Sequence, residues 1–373
     1  MRFVRLRDPE SYVPALWDLR TDAAARRHWS AVFRAQLRSM VAVVARFRDR
    51  GQARLATAVG ERFDRFLAEL DPPTLDEHPH VHAWTGVRER LIDEVGLDDP
   101  YAELKAAHDE AALAALPAAL DACRSGGSQS DVLRLALAAV IAGNRLDMGS
   151  PTTAGVAASG AVDFAAEHRA VAASAWLFDG FPAFDAVLDA VGADHRTVLI
   201  LVDNSGYDFV CGVAALATTL AERGFDVVLA ANQRPSLNDV TAAQARRVLA
   251  RAAALDERLG AQIGAGAIAV VSTGTGSPGI DLRHVSAELD DAGRRAGLLV
   301  LVGQGRAAET NWHARFDLPV LRVLTLKDTM VAARLGGRPF DAVCAFTPGR
   351  GGLPAARRGA DGARVLARCR HAP

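Results

Sequence analysis

The sequence predicts an α/β fold in which a doubly wound, mostly parallel sheet follows an N-terminal helical subdomain. After about residue 170, short apolar runs rich in β-branched residues alternate with stretches of helical pattern. The runs are continuously apolar, which is typical of strands buried on both faces. Their alternation with helices predicts right-handed crossovers and parallel strand pairing. Before about residue 150 the sequence contains no convincing strand.

The N-terminal part of the chain predicts a set of amphipathic helices. Residues 20–48 carry apolar side chains at steps of three and four residues, as a helix with one buried face requires. These side chains are Trp29, Val32, Phe33, Leu37, Val41 and Val44. Residues 52–70 repeat this pattern, and residues 101–122 and 131–143 are rich in Ala and Leu. We therefore expect helices in all four segments.

We place the boundary between the two parts at residue 150, giving a helical subdomain 1–150 and an α/β domain 151–373. The predicted strands of the α/β domain are 197–204, 226–232, 267–273, 297–305, 320–327 and, more weakly, 340–346. The helices predicted between them are 209–223, 240–259 and 282–295. In such a sheet, ligands bind beyond the carboxyl ends of the strands, where the strand order reverses. The polar residues that follow each strand are therefore the candidate site residues.

The composition argues against several classes of protein. The 373 residues carry 43 basic and 44 acidic side chains, which gives no long-range attraction for nucleic acid or an anionic membrane surface. Half of the residues are apolar, enough for a sizeable core. Because no apolar run has the length of a membrane span and the first residues lack a signal-peptide core, we expect neither element.

Cysteine usage and codon bias point to a bacterial cytoplasmic protein. The cysteines, Cys123, Cys211, Cys344 and Cys369, lie far apart without metal-binding spacing, which is typical of a reducing compartment. The high content of Ala, Arg and Gly is typical of a GC-rich bacterial genome. The sequence leaves the oligomeric state open.

Two carboxylates, a carboxamide and a lysine follow predicted strands. Asp203 and Asn204 end the first strand, Asp239 follows the second, and Lys327 ends the fifth. The oxygen atoms of the first three suit a hard divalent cation such as Mg²⁺ or Mn²⁺. Such a centre would be close to neutral once the cation binds, so an anionic substrate can join it, with Lys327 as a point charge for a phosphate. Backbone N–H groups of the loop 303–305 would approach the same anion.

Each of these residues also has a structural interpretation. An Asp-Asn pair after a strand is common in turns and at helix N-termini. Lys327 by itself could cap a helix or be a solvated charge. Their joint occurrence at strand ends favours the functional interpretation, because the carboxyl ends of parallel strands meet at one edge of the sheet.

Three further patterns are weaker. Residues 274–279 (GTGSPG) match a glycine-rich dinucleotide fingerprint, but they follow a late strand and contain a proline. The tract 78–82 (HPHVH) resembles a metal-binding tract, yet its proline interrupts helical spacing and favours a surface loop. The glycine-rich tract 348–360 lacks the GK[ST] ending of a phosphate-binding loop and indicates a connector.

Five short elements occur in order along the chain. They are 98–105 (DDPYAELK), 143–149 (GNRLDMG), 203–208 (DNSGYD), 236–241 (SLNDVT) and 303–310 (GQGRAAET). They are similar to the D-P-Y-x-x-L-K, G-N-x-x-D-x-G, D-N-x-G, N-D-V-T and K-G-x-G-N-x-E elements of one family. The chain therefore resembles the metal-dependent damage-control phosphatases, which were long catalogued as a domain of unknown function and include a protein once proposed to be an acidic-residue methyltransferase. The fold of that family, an α/β domain with a helical N-terminal part, agrees with the fold predicted above.

The resemblance implies roles for particular residues. Asp203, Asn204 and Asp239 would hold the metal, and Lys327 would contact the phosphate. The substrate-binding residues would be Asn144, Asp147, Asp208, Gly303, Gln304, Gly305, Arg306 and Glu309. Asp208, about one helical turn beyond Asn204, is equally consistent with a carboxylate at a helix start.

The chain departs from the family pattern at several positions. Tyr207 stands where an acidic residue is usual, Val302 where lysine is common, and Arg306 near the usual asparagine. One residue is inserted before Glu309, and Leu324 stands where one branch has arginine. We therefore expect an intact metal site and altered substrate recognition.

The leading functional hypothesis is a metal-dependent phosphatase that hydrolyses a small phosphorylated metabolite, such as a sugar phosphate or a damaged phosphometabolite. Its cofactor would be a divalent metal ion (Mn²⁺, Mg²⁺, Co²⁺ or Ni²⁺). We expect no nucleic-acid or membrane partner. An S-adenosylmethionine-dependent methyltransferase is the alternative enzyme, supported by the doubly wound sheet and the 274–279 loop. A catalytically altered binding module is the third hypothesis.

Overall fold

All six predicted apolar runs form strands in the computed structural model, which describes residues 1–146, 163–190 and 196–349. The strands are β1 (Phe178–Asp179), β2 (Thr197–Leu201), β3 (Asp226–Ala231), β4 (Ile268–Ser272), β5 (Ala296–Val302), β6 (Val320–Thr325) and β7 (Ala342–Thr347). They form one sheet in the order β1-β7-β6-β5-β2-β3-β4. All pairs are parallel except β6 with β7. The predicted doubly wound, mostly parallel sheet is confirmed.

Every segment predicted to be helical contains a described helix, but the α-helices in 209–223 and 282–295 begin later than predicted, the first after a π-helical turn at Asp208–Val213. The described α-helices are α1 (Ala23–Phe47), α2 (Arg50–Ala68), α3 (Pro72–Glu77), α4 (Val81–Glu94), α5 (Ala102–Arg124), α6 (Gln129–Arg145), α7 (Phe164–Ala173), α8 (Phe181–Ala190), α9 (Ala214–Glu222), α10 (Ala242–Ala253), α11 (Glu257–Gly264), α12 (Ala287–Arg295) and α13 (Thr329–Arg334). The predicted helix 240–259 is instead two helices. The second begins where the Asp256 side chain accepts a hydrogen bond from the Leu259 amide at 2.8 Å.

Both faces of the sheet are covered by helices. Along β2, Val198 and Ile200 belong to a core with α5, α6 and α9, whereas Leu199 and Leu201 belong to a core with α1, α2 and α4. Each such aliphatic side chain contributes about 1.5–3 kcal/mol when fully buried. This two-sided burial explains why the strand sequences are continuously apolar.

The N-terminal helices contribute to both of these cores. The boundary placed at residue 150 falls outside the described residues, so the division of the chain at that point stays a prediction. Among the described residues, no helix is both long enough and apolar enough to cross a bilayer.

Candidate active site at the switch point of the sheet

The candidate site lies where the strand order reverses. β2 and β5 are neighbours, and the chain continues from β2 towards β3 on one side and from β5 towards β6 on the other. Their carboxyl ends open into a cavity of about 340 Å³, a volume that accommodates a small ligand. The predicted site residues on its wall are Asp203, Asn204, Asp239, Gln304, Gly305, Glu309 and Lys327.

Main-chain hydrogen bonds hold the loops after β2 and β3 side by side. Asn204 and Asp239 form an isolated antiparallel bridge, and the Val240 amide donates to the Asp203 carbonyl at 3.0 Å. Behind them, Lys105 of the D-P-Y-x-x-L-K element directs its Nζ to the Asp239 carbonyl at 3.5 Å. The backbone therefore fixes the points from which the candidate metal ligands project.

Arg306 bridges the two carboxylates of the predicted metal site. Its Nη1 donates to Asp203 Oδ1 at 2.6 Å, and its Nη2 donates to Asp239 Oδ2 at 2.9 Å. Asn232 Oδ1 and the Pro278 carbonyl accept from the same guanidinium, which is fully buried. Burial opposes the charge, but the two carboxylates outweigh it and raise the pKa of Arg306. Arg306 is therefore a fixed buried cation.

Two asparagines connect Asp203 to Asp208. Asn144 Nδ2 donates to Asp203 Oδ2 at 3.1 Å and to Asp208 Oδ2 at 2.7 Å, and Asn204 Nδ2 donates to the same two oxygens. Gly143 permits this approach of α6, because a Cβ there would lie 2.7 Å from the Asp208 Cα. Burial and the nearby Asp203 charge raise the pKa of Asp208 to about 7. Asp208 therefore lies behind Asp203 and is linked to it through the amide groups of the two asparagines.

The glycine-rich loop after β5 requires glycine at its first position. Gly303 has a φ of 86°, which glycine adopts without strain. A Cβ at this position would lie 1.9 Å from Asp203 Oδ2. Residues 304–309 continue as a single π-helical turn, a conformation frequent at functional sites. The loop therefore packs its backbone directly against the first candidate metal ligand.

Gly303→Ala should displace the Asp203 carboxylate. We expect the free energy of unfolding to fall by about 2 kcal/mol or more, from the positive φ and the added volume together. Urea denaturation measures this change. Gly264→Ala is the matched control, because a Cβ at the end of α11 meets no atom within 4 Å. A Gly303→Ala protein as stable as the control would show that the loop moves aside without cost.

Gln304 fastens this loop to the end of β6. Its Oε1 accepts from the backbone amides of Lys327 at 2.7 Å and Asp328 at 3.0 Å, and its Nε2 donates to Glu309 Oε1 at 2.8 Å.

The sequence has only two lysines, Lys105 and Lys327, and both are buried. Burial raises the pKa of Glu309 to about 7. The cavity wall thus combines a lysine with a carboxyl group that ionises near neutral pH.

Helices α1 and α4 form the wall of the cavity opposite the strand ends. The sequence analysis did not select His28 of α1 and considered His82 of α4 only as part of the tract 78–82. His28 Nε2 lies 2.7 Å from Asp328 Oδ2, which joins α1 to the start of α13. On α4, His82 Nδ1 lies 3.3 Å from Ser277 Oγ, and burial lowers the pKa of His82 to about 4. The position of Asp328 next to Lys327 was an available signal. No sequence pattern distinguishes His28 from other polar residues of α1.

The histidine tract is not a surface loop. His78 ends α3, His80 caps α4 by accepting a hydrogen bond from the Ala83 amide at 3.1 Å, and His82 lies within α4 on the cavity wall. The proline between the first two histidines separates two helices, which explains the broken helical spacing. In the ranges that the structure covers, no group of three or more His, Cys, Asp or Glu side chains is arranged to hold a metal.

The loop 274–279 binds two side chains, Asn232 and Arg306, that contact the candidate metal ligands. Its Ser277 carbonyl accepts from Asn232 Nδ2 at 3.1 Å, and its Pro278 carbonyl accepts from Arg306 Nη1 at 3.2 Å. Both carbonyls are therefore bound to other parts of the chain, which indicates a structural role for the loop.

The donor atoms of Asp203, Asn204 and Asp239 suit a hard divalent cation. All three residues line the cavity, and two carboxylates with one amide are the ligands that Mg²⁺ and Mn²⁺ prefer. Asn204 directs its Nδ2 to Asp203 and Asp208, which leaves its carbonyl oxygen pointing away from these carboxylates. Arg306 donates to one oxygen of each aspartate, Asn144 and Asn204 donate to Asp203 Oδ2, and Asn232 donates to Asp239 Oδ2. A carboxylate has about four acceptor positions. The residues present therefore fit such a cation.

Other predicted site residues lie away from the cavity wall. Asn144 and Arg306 donate hydrogen bonds to Asp203, Asp208 accepts a hydrogen bond from Asn144, and Gly303 packs against Asp203. Asp147 falls outside the described residues. The roles assigned to all of these residues stay predictions.

A doubly wound sheet with a carboxylate pair and a lysine at its switch point defines an α/β protein suited to phosphate chemistry. The sequence identifies the family within this class. Residues 25–343 match the damage-control phosphatase ARMT1-like domain, and the chain belongs to this family. The predicted resemblance is thus confirmed. Members of the family generally depend on a divalent metal ion.

Individual relatives agree with this assignment. The chain is 32% identical to pantothenate kinase 2 of Arabidopsis thaliana over 93% of its own length and 42% of the relative's. It is 30% identical to a damage-control phosphatase of Arabidopsis thaliana, covering 78% of the chain and 79% of that protein. It is 28% identical to the 4'-phosphopantetheine phosphatase of Mus musculus, covering 91% and 47%. The chain thus spans less than half of the pantothenate kinase 2 and mouse relatives.

The fold also matches a solved structure. A DUF89 family protein from Pyrococcus horikoshii superimposes with a TM-score of 0.62 at 21% sequence identity. The match covers 86% of this chain and 97% of that one. At this level of identity the likeness concerns the fold.

Proposed function

We propose that this chain is a metal-dependent phosphatase that hydrolyses the phosphomonoester of a small metabolite. The observation that supports this proposal best is the meeting of Asp203, Asn204, Asp239 and Lys327 on the wall of one cavity at the switch point. Membership of a damage-control phosphatase family supports the same activity. A methyltransferase has no need for two carboxylates and a lysine at this edge of the sheet.

The proposed function assigns the site residues three roles: binding the cation, binding the phosphate and orienting the loop after β5. Asp203, Asn204 and Asp239 would hold the divalent cation, which supplies polarisation of a phosphoryl oxygen when it is bound. We propose manganese, with Mg²⁺, Co²⁺ and Ni²⁺ as alternatives of the same donor preference. Lys327 binds the phosphate as a compact positive charge. Gln304 orients the loop that carries Glu309.

Proton transfer has a candidate on the same wall. Hydrolysis forms a bond from water oxygen to phosphorus and breaks the bond from phosphorus to the leaving oxygen. The attacking water releases one proton, and the leaving oxygen takes up one proton to become an alcohol. Glu309, a carboxyl group with a pKa of about 7, is suited to accept the proton from the water. The pKa of Glu309 lies near neutral pH because its side chain is buried in the cavity wall.

The second wall of the cavity favours a substrate with an apolar arm. The side chains of Trp29, Val32, Phe33 and Val81 line it, all from α1 and α4. His28 and His82 lie on the same wall, but the valine and phenylalanine side chains offer no hydrogen-bond partner to a sugar hydroxyl that loses its water there. The name of the mouse relative, 4'-phosphopantetheine phosphatase, describes a phosphate on a longer acyclic molecule. We therefore propose phosphates of that shape ahead of sugar phosphates.

A phosphatase screen tests the proposal. The chelator-treated full chain is assayed against sugar phosphates, 4'-phosphopantetheine and nucleotides, with and without Mn²⁺, Mg²⁺, Co²⁺ or Ni²⁺. We expect phosphate release that requires the cation and is fastest with 4'-phosphopantetheine or a related acyclic phosphate. No release with any metal, together with thermal stabilisation by S-adenosylmethionine, would favour the methyltransferase. No release and stabilisation by phosphometabolites alone would indicate a binding module.

We also propose that the protein works in a reducing compartment, the cytoplasm. Three cysteines among the described residues, Cys123, Cys211 and Cys344, are free thiols and all are buried. Free buried thiols are common in proteins of reducing compartments.

A further inference from the structure

We propose that Arg306 sets the charge of the metal centre, so that the loaded site selects dianionic phosphates over monoanionic ligands. This inference rests on the proposed function, because it concerns the same cavity. It assigns Arg306 a positioning role: the residues that line the cavity in the described part of the chain do not include it. The sequence resemblance had placed Arg306 among the substrate contacts.

The contacts of Arg306 hold its guanidinium in a fixed position next to the two candidate metal ligands, Asp203 and Asp239. Its two terminal nitrogens reach one carboxylate each, Asp203 and Asp239, at 2.6 and 2.9 Å. This planar arrangement needs a guanidinium, because an ammonium is a single point that cannot match both directions. Two alanines that follow it, Ala307 and Ala308, are completely buried and leave room for the turn. The guanidinium has no exposed surface through which water could replace these contacts.

The charge balance follows from these contacts. A divalent cation held by Asp203 and Asp239 alone would give a neutral centre. Arg306 adds one positive charge to that centre, and Lys327 adds another on the cavity wall. A phosphomonoester dianion then neutralises the cation and these four side chains together, whereas a monoanion leaves one of their positive charges uncompensated. Asp328, also on the cavity wall, lies 2.7 Å from His28 and is not part of this count. Glu309 leaves this balance unchanged while it is protonated.

The same charge should weaken metal binding. A buried guanidinium repels a cation held by the carboxylates with which it is paired. Removing its charge should therefore strengthen Mn²⁺ binding and weaken phosphate binding. A purely structural role would instead weaken both, because the ligands would lose their orientation. Tighter Mn²⁺ binding together with weaker phosphate binding therefore distinguishes the proposed charge effect from a structural one.

Two variants of the full chain distinguish the effect of the Arg306 charge on binding from the effect of its side-chain shape. Arg306→Gln removes the charge and retains an amide donor, whereas Arg306→Lys retains the charge. Titration calorimetry measures the Kd of Mn²⁺ for the chelator-treated proteins, then the Kd of inorganic phosphate for the manganese-loaded ones. For Arg306→Gln we expect Mn²⁺ to bind about tenfold more tightly or better, and phosphate about tenfold more weakly or worse. Arg306→Lys should lie between this variant and the original protein in both Kd values.

The control variant is Arg124→Gln, which removes an arginine paired with Asp256 between α5 and α11. It should change neither Kd. Mn²⁺ and phosphate Kd values for Arg306→Gln that equal those of the control, or that both weaken, would overturn the inference. Turnover does not enter these measurements. If the binding changes occur but no phosphomonoester is hydrolysed, the proposed function fails and the inference about charge stands.

A test on the unchanged protein covers the case in which Arg306→Gln does not fold. Methyl phosphate and methyl sulfate have nearly the same shape, but the first is a dianion above its second pKa and the second is a monoanion. The manganese-loaded protein should bind methyl phosphate about tenfold more tightly or better at pH 6.5, where methyl phosphate is mostly a dianion and Glu309, with a pKa of about 7, is mostly protonated. Equal affinities would overturn the inference, and an absence of Mn²⁺ binding would overturn it together with the metal site.

Discussion

Asp203→Asn should lower kcat/KM for the best phosphomonoester about 100-fold or more. The substitution keeps the shape of the side chain but removes one of the two negative charges that would hold the cation. It also leaves Arg306 with a single carboxylate, Asp239, and breaking one partner of a buried ion pair costs about 3–5 kcal/mol. We therefore expect lower stability together with lower activity. Steady-state kinetics over a range of Mn²⁺ concentrations measures the first effect, and urea denaturation the second.

Asp290→Asn is the matched control for this prediction. Asp290 is as buried as Asp203, accepts a hydrogen bond from the Val4 amide at 2.7 Å and pairs with Arg294, but it lies outside the cavity. It should lose stability without losing turnover per folded molecule. An Asp203→Asn enzyme with unchanged kcat/KM and unchanged dependence on Mn²⁺ would remove Asp203 from the metal site.

Lys327→Met should lower kcat/KM by a factor of about 10 to 150. The loss corresponds to a charge-assisted contact with the phosphate, worth roughly 1.5–3 kcal/mol. Methionine has an unbranched apolar side chain of similar length, so the substitution removes the charge with little change in volume. Mn²⁺ affinity should not fall, because a lysine repels a cation in the same cavity. Kinetics and Mn²⁺ titration of the same protein sample check both expectations.

The distribution of this loss between kcat and KM reports when the contact forms. A contact that is equal in the ground and transition states raises KM, and one that strengthens in the transition state lowers kcat. Lys327→Arg should recover activity only in part, because the planar guanidinium differs from the ammonium in shape. Wild-type kcat/KM in Lys327→Met would mean that the phosphate is bound by other groups.

The strands β2, β3, β5 and β6 were predictable because they are buried on both faces, whereas the two-residue strand β1 was missed. A continuous run such as 197–201 has few alternatives to a central parallel strand once helices flank it. The polar residues after each run then predicted a site, because the topology brings the ends of parallel strands together. This argument found Asp203, Asn204, Asp239 and Lys327, which the structure places on one cavity wall.

Several helices were missed for local reasons. The N-cap of α4 is His80, and histidine is not among the residues that usually cap helices. α3 and α13 have six residues each, too few for a periodic pattern to emerge. β7 lies between β1 and β6 and runs antiparallel to β6, and its own sequence carries no signal for that position or direction.

The sequence by itself determined the α/β class, the order of the strands along the chain, the family and the cluster of polar residues at one edge of the sheet. Only the tertiary structure decided what surrounds that cluster. Arg306 pairs with Asp203 across 103 residues, and His28 meets Asp328 across 300. Periodicity records whether a residue is buried, because burial depends on its own element. It carries no information about which distant residue shares that buried space, because the packing of whole helices against the sheet sets those distances.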